Sequence, residues 1–280
     1  MRQTVSGRSA MKFAICNEIY QGWTLETAMA HAAATGYDAI EIAPFTLAKY
    51  VTEISAHTRQ KLRDTAAKTG IAVCGLHWVL VNAEGMYLNH SDATVRAKTA
   101  QYLWDLVDFC ADLGGQVVVI GSPKQRNLLP GATAAQAWEW AAQTFNDAVK
   151  RAEDRGVTLC LEPLAPSETD FINTATLALL FTEQFHSPNF KIILDVKAMC
   201  SEAKPIPQII RESRSNIAHF HANDKNLKGP GFGDVDFVPI AAALKDVGYD
   251  GHVSVEVFKF EEGPEVIAAK SLEYLKKAFA

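Results

Sequence analysis

Short apolar runs alternate with longer amphipathic segments along the chain. The runs are FAIC from Phe13, AIEI from Ala39, AVCGLH from Ala72, QVVVIG from Gln116, TLCLEP from Thr158, KIILDV from Lys191, AHFHAND from Ala218 and HVSVEV from His252. Several are near-continuous and β-branched, as parallel strands buried on both faces require. A helical pattern follows each one. Ala100, Leu103, Val107 and Cys110 recur at spacings of three and four, as do Ala141, Phe145, Ala148 and Ala152, and then Leu272, Leu275 and Phe279. Glycines at 36, 70, 114–115, 156 and 248 stand just before the next strand, where a helix stops in the left-handed conformation.

Eight βα units in series, with no break in composition, predict an α/β chain closed into a (β/α)₈ TIM barrel, a single domain over residues 11–280. An open doubly wound sheet would more often place a Gly-rich phosphate loop after its first strand, and FAICNEIYQG is not one. Residues 1–10, MRQTVSGRSA, lack the apolar core of a signal peptide and are expected to be a disordered or peripheral extension.

The length of 280 residues suits one barrel, since that fold typically takes about 250. Apolar residues at 48% and charged residues at 21% are those of an ordinary globular protein. A net charge of −5 offers no footprint for nucleic acid or an anionic membrane. No apolar stretch approaches the ~18 residues of a membrane span. Five cysteines, an odd number without a CxxC spacing, read as reduced thiols in a cytoplasmic protein, mostly filling the core.

In such a barrel the chemistry sits at the C-terminal ends of the strands. Ionisable residues do interrupt the runs at their far ends: Glu41, His77, Glu162, Asp195, His221 and Glu256. Residues two apart in a strand share a face, so Glu162 goes with Cys160, Asp195 with Ile193, His221 with His219 and Glu256 with Ser254. Turned inward, the polar ends of strands 5 to 8 converge. Any one of these four alone is more often a helix cap or an ion-pair partner. Three carboxylates converging without a cation repel one another. With one imidazole they make an O₃N set suited to a single divalent ion, Mn²⁺ first and Mg²⁺, Co²⁺ or Zn²⁺ otherwise.

LEPLAPSETDFINT, ILDVKAM, AHFHAND and YDGHVSVEVF resemble the strand 5 to strand 8 signatures of the xylose-isomerase-like TIM barrels, the superfamily of sugar phosphate isomerases and epimerases. The resemblance runs from Met11 to the C-terminus and is weaker before strand 4. Within the superfamily the chain resembles the ketose 3-epimerase (D-tagatose 3-epimerase) type. Carried over by motif position, that family's metal ligands fall on Glu162, Asp195, His221 and Glu256. Its two acid/base carboxylates fall on Glu162 and Glu256, a further substrate-binding glutamate on Glu168, and the asparagine of its NT helix start on Asn173, which by itself reads as an N-cap. The family's histidine three residues after the strand 6 aspartate is here Ala198, and its arginine six residues after the strand 7 histidine is Leu227. In the family both hold the substrate. Lys197, Lys225 and Lys228 lie nearby in sequence. Lys124 and Arg126, in the loop after strand 4, could clamp a phosphate or carboxylate. Glu41, His77 and Trp78 are expected on the pocket wall, and His219 as a satisfied histidine one layer below His221.

The resemblance implies a metal-dependent sugar, sugar-phosphate or keto-polyol isomerase or epimerase, in which carboxylates move a proton next to a carbonyl through an enediolate. Its partner is a small carbohydrate, and its relatives are often dimers or tetramers. A dehydratase of a cyclic keto-polyol would use the same centre. An endonuclease of the endonuclease IV type is disfavoured by Ala198 and Asp236 at ligand positions of that family, although Asp234 matches one, and by the acidic charge balance. A non-catalytic sugar-binding protein has no need of both acid/base carboxylates.

Overall fold

All eight apolar runs form strands, and the strands close on themselves in chain order. They are β1 (Lys12–Cys16), β2 (Ala39–Ile42), β3 (Ala72–Leu76), β4 (Val117–Ile120), β5 (Thr158–Leu161), β6 (Phe190–Asp195), β7 (Ile217–Ala222) and β8 (His252–Val255). Every neighbouring pair is parallel, and β8 returns to β1 with Phe13 opposite Val253. This computed structural model describes residues 11–280, so the expectation for residues 1–10 lies outside the described residues.

The connections are helical. The main helices are α1 (Leu25–Thr35), α2 (Ala56–Thr69), α3 (Ala93–Asp112), α4 (Ala134–Arg155), α5 (Ala175–Glu183), the single turn α6 (Val196–Met199), α7 (Ile206–Ser213), α8 (Val238–Asp246) and α9 (Pro264–Ala278). Local chemistry sets their ends. Thr133 opens α4 with a reciprocal box to Gln136, satisfying backbone donors that have no partner inside the helix. Gly36 and Gly156 close α1 and α4 at φ 100° and 65°, a conformation that costs a side-chain-bearing residue about 1–2 kcal/mol. The expected N-cap role of Asn173 is corrected. Thr174 caps α5, and Asn173 instead donates to the carbonyls of Leu164 and Thr169, tying down the loop after β5.

Strand parity divides the interior. Ile15, Ile40, Val118, Leu159, Ile192, Phe220 and Val253 join the helices in one continuous core. The alternate residues form two separate, smaller groups: Val117, Val119, Cys160 and Ile193, and then Ala14, Ala39 and Cys74. Apolar side chains therefore occupy these layers, and the polar residues of the same parity follow them toward the C-terminal ends. The five cysteines are free thiols, four of them buried and Cys200 exposed. Among the described residues no helix is long and apolar enough to cross a membrane.

β3 and β4 approach so closely that only glycine fits at position 75: a Cβ there would lie 2.2 Å from the Val117 carbonyl oxygen. Gly75→Ala is expected to lower stability by about 1–3 kcal/mol, the usual range for overpacking, read as a drop in the urea midpoint.

Candidate metal centre and active site

Glu162 follows the last residue of β5, Asp195 ends β6, His221 is the penultimate residue of β7, and Glu256 follows β8. All four are buried, and one ligand atom from each lies within 4.8 Å of the others. Glycine makes this approach feasible on one side. A Cβ at Gly121, just past β4, would lie 1.7 Å from Glu162 Oε2, so the carboxylate occupies the space a side chain would fill.

Asp195, Glu256 and His221 are each held by other groups. Asp195 Oδ1 accepts from the Ala198 backbone N–H at 2.7 Å and so caps α6. Its Oδ2 accepts from Asn223 Nδ2 at 2.5 Å, and the same amide reaches Glu256 Oε2 at 3.4 Å. His221 Nε2 is 3.2 Å from both oxygens of Glu41, and His219 Nε2 is 2.8 Å from Glu41 Oε2. Burial would lower the His221 imidazole, but Glu256 and Glu41 hold it well above the ordinary histidine range. With one proton only, on Nε2 and donated to Glu41, Nδ1 would turn a lone pair toward the carboxylates. Nδ1 is 3.1 Å from Glu256 Oε2 but lacks the geometry of a hydrogen bond to it. A carboxylate behind the imidazole is the arrangement that orients metal-ligating histidines.

The electrostatics describe a site in need of positive charge. Burial, with Glu256 and Asp195 adding to it, pushes Glu162 up to about 8. Burial, opposed by Lys197 and reinforced by Glu256, raises Asp195 to about 6. Burial would raise Glu256 too, but His221 holds it below the ordinary carboxylate range. Three oxygens and one nitrogen fit a divalent ion of the Mn²⁺ or Mg²⁺ kind. Two other groupings in the described residues, Cys16–Glu41–His77 and Glu41–His219–His221, also lie within 4.8 Å. Both depend on Glu41, whose oxygens already serve His219 and His221, so the strand 5–8 set fits best.

Above the cluster lies a cavity of about 500 Å³ whose wall includes Glu162, Glu256, Glu168, Lys197, Trp78 and Lys124. Lys197 Nζ donates to Glu168 Oε1 at 2.7 Å and sits 4.1 Å above the ring of Phe258, another wall residue. Its ammonium is held above the ordinary lysine range: burial would lower it, but Asp195 and Glu168 outweigh that. Lys228 is committed to Glu262, and Lys225 lines a neighbouring cavity together with Leu227.

Three expectations about the wall are corrected. Glu41 and His77 are fully buried and do not line the cavity. Glu41 braces His219 and His221 from beneath, and His77 Nε2 pairs with Glu18 Oε2 at 2.5 Å. Arg126 does not join Lys124 in a clamp. Its backbone carbonyl accepts from Asn89 Nδ2, and its guanidinium is drawn wholly inside without a hydrogen-bond partner. Burial lowers it to about 10, with Glu162 and Glu168 opposing the fall, so it acts on the site as a charge behind the wall. Asn223 and Phe258 were missed as site residues. Asn223 stands two residues beyond His221, just past the end of β7, where continued strand parity would place it on the same side.

A closed (β/α)₈ barrel whose strand ends gather three carboxylates and an imidazole beneath a cavity defines the class of TIM barrels with a candidate metal centre at the C-terminal mouth. The family described as xylose isomerase-like TIM barrel matches residues 29–278, and the chain belongs to it. A D-psicose 3-epimerase of Ruminiclostridium cellulolyticum is 38% identical over 121 residues, 43% of this chain and 41% of that protein. An L-ribulose 3-epimerase of Mesorhizobium japonicum is 29% identical over 184 residues, 66% of this chain and 62% of that protein. The alignments thus span less than two thirds of either relative's length. The crystal structure of D-psicose 3-epimerase with D-tagatose from Clostridium cellulolyticum H10 superimposes with a TM-score of 0.85 at 25% identity, covering 96% of this chain and 99% of that one.

Glu41→Gln removes the brace behind His221 and is expected to weaken Mn²⁺ binding about 10–100-fold, measured by calorimetry, with the circular dichroism spectrum retained. An ion held by these residues would have to displace the protons that raised carboxyl pKa values keep on Glu162 and Asp195, so affinity should rise from pH 6 to pH 8. The sign for stability agrees: raised carboxyl pKa values stabilise the metal-free fold below the unfolded values and cease to do so as pH rises through about 8. The increase in Tm on adding Mn²⁺ should therefore be larger at pH 8 than at pH 6, and equal increments would contradict the assignment.

Proposed function

We propose that the protein is a metal-dependent ketose 3-epimerase. The observation that carries this reading is the position of Glu162 and Glu256. Both belong to the ligand cluster and both face the same cavity. The similarity to named psicose and ribulose 3-epimerases supports the class of substrate, a ketose.

Glu162, Asp195, His221 and Glu256 would hold the ion, with Mn²⁺ the first candidate and Mg²⁺, Co²⁺ or Zn²⁺ the alternatives. When bound, it supplies Lewis-acid stabilisation of the negative charge that develops on the sugar's carbonyl oxygen. The protein does the rest. One of the two glutamates removes the proton from the carbon beside the carbonyl, and the other returns a proton to the opposite face. Groups positioned in this way typically contribute about 10²–10⁴-fold. Asn223 keeps Asp195 and Glu256 in register, and Arg126 offsets the charge of Glu162 from behind the wall.

Lys197 takes over substrate holding. The family's histidine and arginine are replaced by Ala198 and Leu227, and Lys197 supplies a cation inside the cavity beside Glu168. An ammonium donates to several hydroxyls but lacks the planar fork of arginine, which favours a neutral polyol over bidentate capture of a phosphate.

Incubating the Mn²⁺-loaded protein in D₂O with ketoses should incorporate one deuteron at C3, and EDTA added beforehand should abolish the incorporation. Glu162→Gln and Glu256→Gln should each reduce exchange by at least about 10²-fold with the fold retained. Full exchange in either variant would end its acid/base role, and a product lighter by one water would convert the reading to a dehydratase. Lys197→Met should raise KM for the ketose more than it lowers kcat.

A further inference from the structure

A second cavity, of about 620 Å³, opens beside the one above the metal cluster. Each is large enough alone for a small molecule, because ligand pockets commonly measure roughly 300–1,000 Å³. Trp78 belongs to the wall of both. Its indole lies near-parallel to Phe258 on the metal side, with centroids 5.7 Å apart, and to Phe45 on the second side, at 5.9 Å. Phe258 is only two residues past Glu256. The chambers are therefore adjacent, separated by a short stack of aromatic rings.

The second chamber has the chemistry of a carbohydrate site. Trp23, Phe45, Trp78 and Phe260 give it flat apolar surface, and it opens past exposed Gln21. Its wall also carries Glu18, from the 3₁₀ turn after β1, which is 6% exposed. Glu18 Oε2 is committed to His77, whereas Oε1 is buried without a hydrogen-bond partner. A buried acceptor left in this state costs stability unless something donates to it. The pairing with His77 offsets its charge, so the group suited to Oε1 is a neutral hydroxyl. Aromatic faces beside one fixed acceptor match a sugar ring, which is apolar on its faces and hydroxylated at its edge.

We propose that this chamber is a second sugar subsite and that the preferred substrates are ketoses carrying a glycosyl unit. The inference rests on the ketose-epimerase reading and narrows it. The metal chamber needs C1 to C3 of the ketose free, so the added ring must hang from the far end of the chain. A 6-O-glycosyl ketose meets that condition, and a 3-O-glycosyl ketose does not.

Isomaltulose (6-O-glucosyl-fructose), D-fructose and turanose (3-O-glucosyl-fructose) test this with the Mn²⁺-loaded protein. Deuterium exchange at C3 gives kcat/KM, and saturation-transfer NMR reports which protons of isomaltulose touch the protein. Isomaltulose should exceed D-fructose by at least about tenfold, with turanose inert and the glucosyl protons strongly saturated. Trp23→Ala should lower the isomaltulose value about tenfold, as expected when a stacking ring is lost, and leave D-fructose within about twofold. Gln21→Trp, which adds bulk at the mouth and leaves the core untouched, should do the same should Trp23→Ala not fold. D-fructose equal to or better than isomaltulose, or both falling together in the variants, overturns the subsite and leaves the epimerase standing. Absence of saturation on the glucosyl protons also overturns it. Glucosyl saturation lost in the variants, with no metal-dependent exchange of either sugar, keeps the subsite and overturns the epimerase.

Discussion

Three carboxylates drawn together inside a barrel repel one another, and the arrangement around them answers that repulsion. Glu162, Asp195 and Glu256 converge with a single imidazole among them. Around them stand Lys197 in the cavity wall, Arg126 wholly buried and felt by Glu162 and Glu168, and the Asn223 amide bridging two of the acids. Beneath, Glu41 sets the direction of His221. Buried charges are tolerable only when paired or bonded. The chain meets this demand with the Asn223 amide, remote cations and a ligand set that could hold a metal ion. Apart from the contact of His221 with Glu256, it does not close the acids off in direct ion pairs, which would leave no free oxygen for chemistry.

Much of this was legible from the chain alone. The eight runs stand out because parallel strands buried on both faces must be apolar, and the four strand-end residues stand out because they break that pattern at one end only. Depth was harder to read. Glu41 has the right parity, but it sits at a register shift between β2 and β3 that local sequence does not encode, and it falls beneath the cluster. Arg126 looks like a loop cation of the surface. Its burial follows from loops packing over the barrel mouth, with Leu88 bonded to the Gln125 carbonyl and Asn89 to that of Arg126, contacts between segments about forty residues apart in sequence. Trp78 was assigned to the wall, but the rings flanking it come from the loops after β2 and β8. No local pattern brings those together.

The aromatic stack has a structural role of its own. Trp78 adopts φ 50°, a left-handed backbone that a bulky residue seldom takes. The flanking rings and the paired His77 behind it hold the indole upright between two chambers. Strained backbone at the mouth of a cavity is where folds commonly place groups whose direction matters more than their comfort.

Asp195 does two things at once. It belongs to the ligand cluster, and its Oδ1 caps the single turn α6, which carries Lys197 at its second position. Lys197 is also tied through its backbone N–H to Asn223, the amide that steadies Asp195. Whatever draws on the carboxylate and whatever draws on the ammonium therefore pull on one turn of backbone. Ligands that drew on the two ends would share that turn, and any coupling between them would be reciprocal: an ion that settled the turn would ready the lysine for a sugar, and a sugar held by the lysine would tighten the hold on the ion to the same degree.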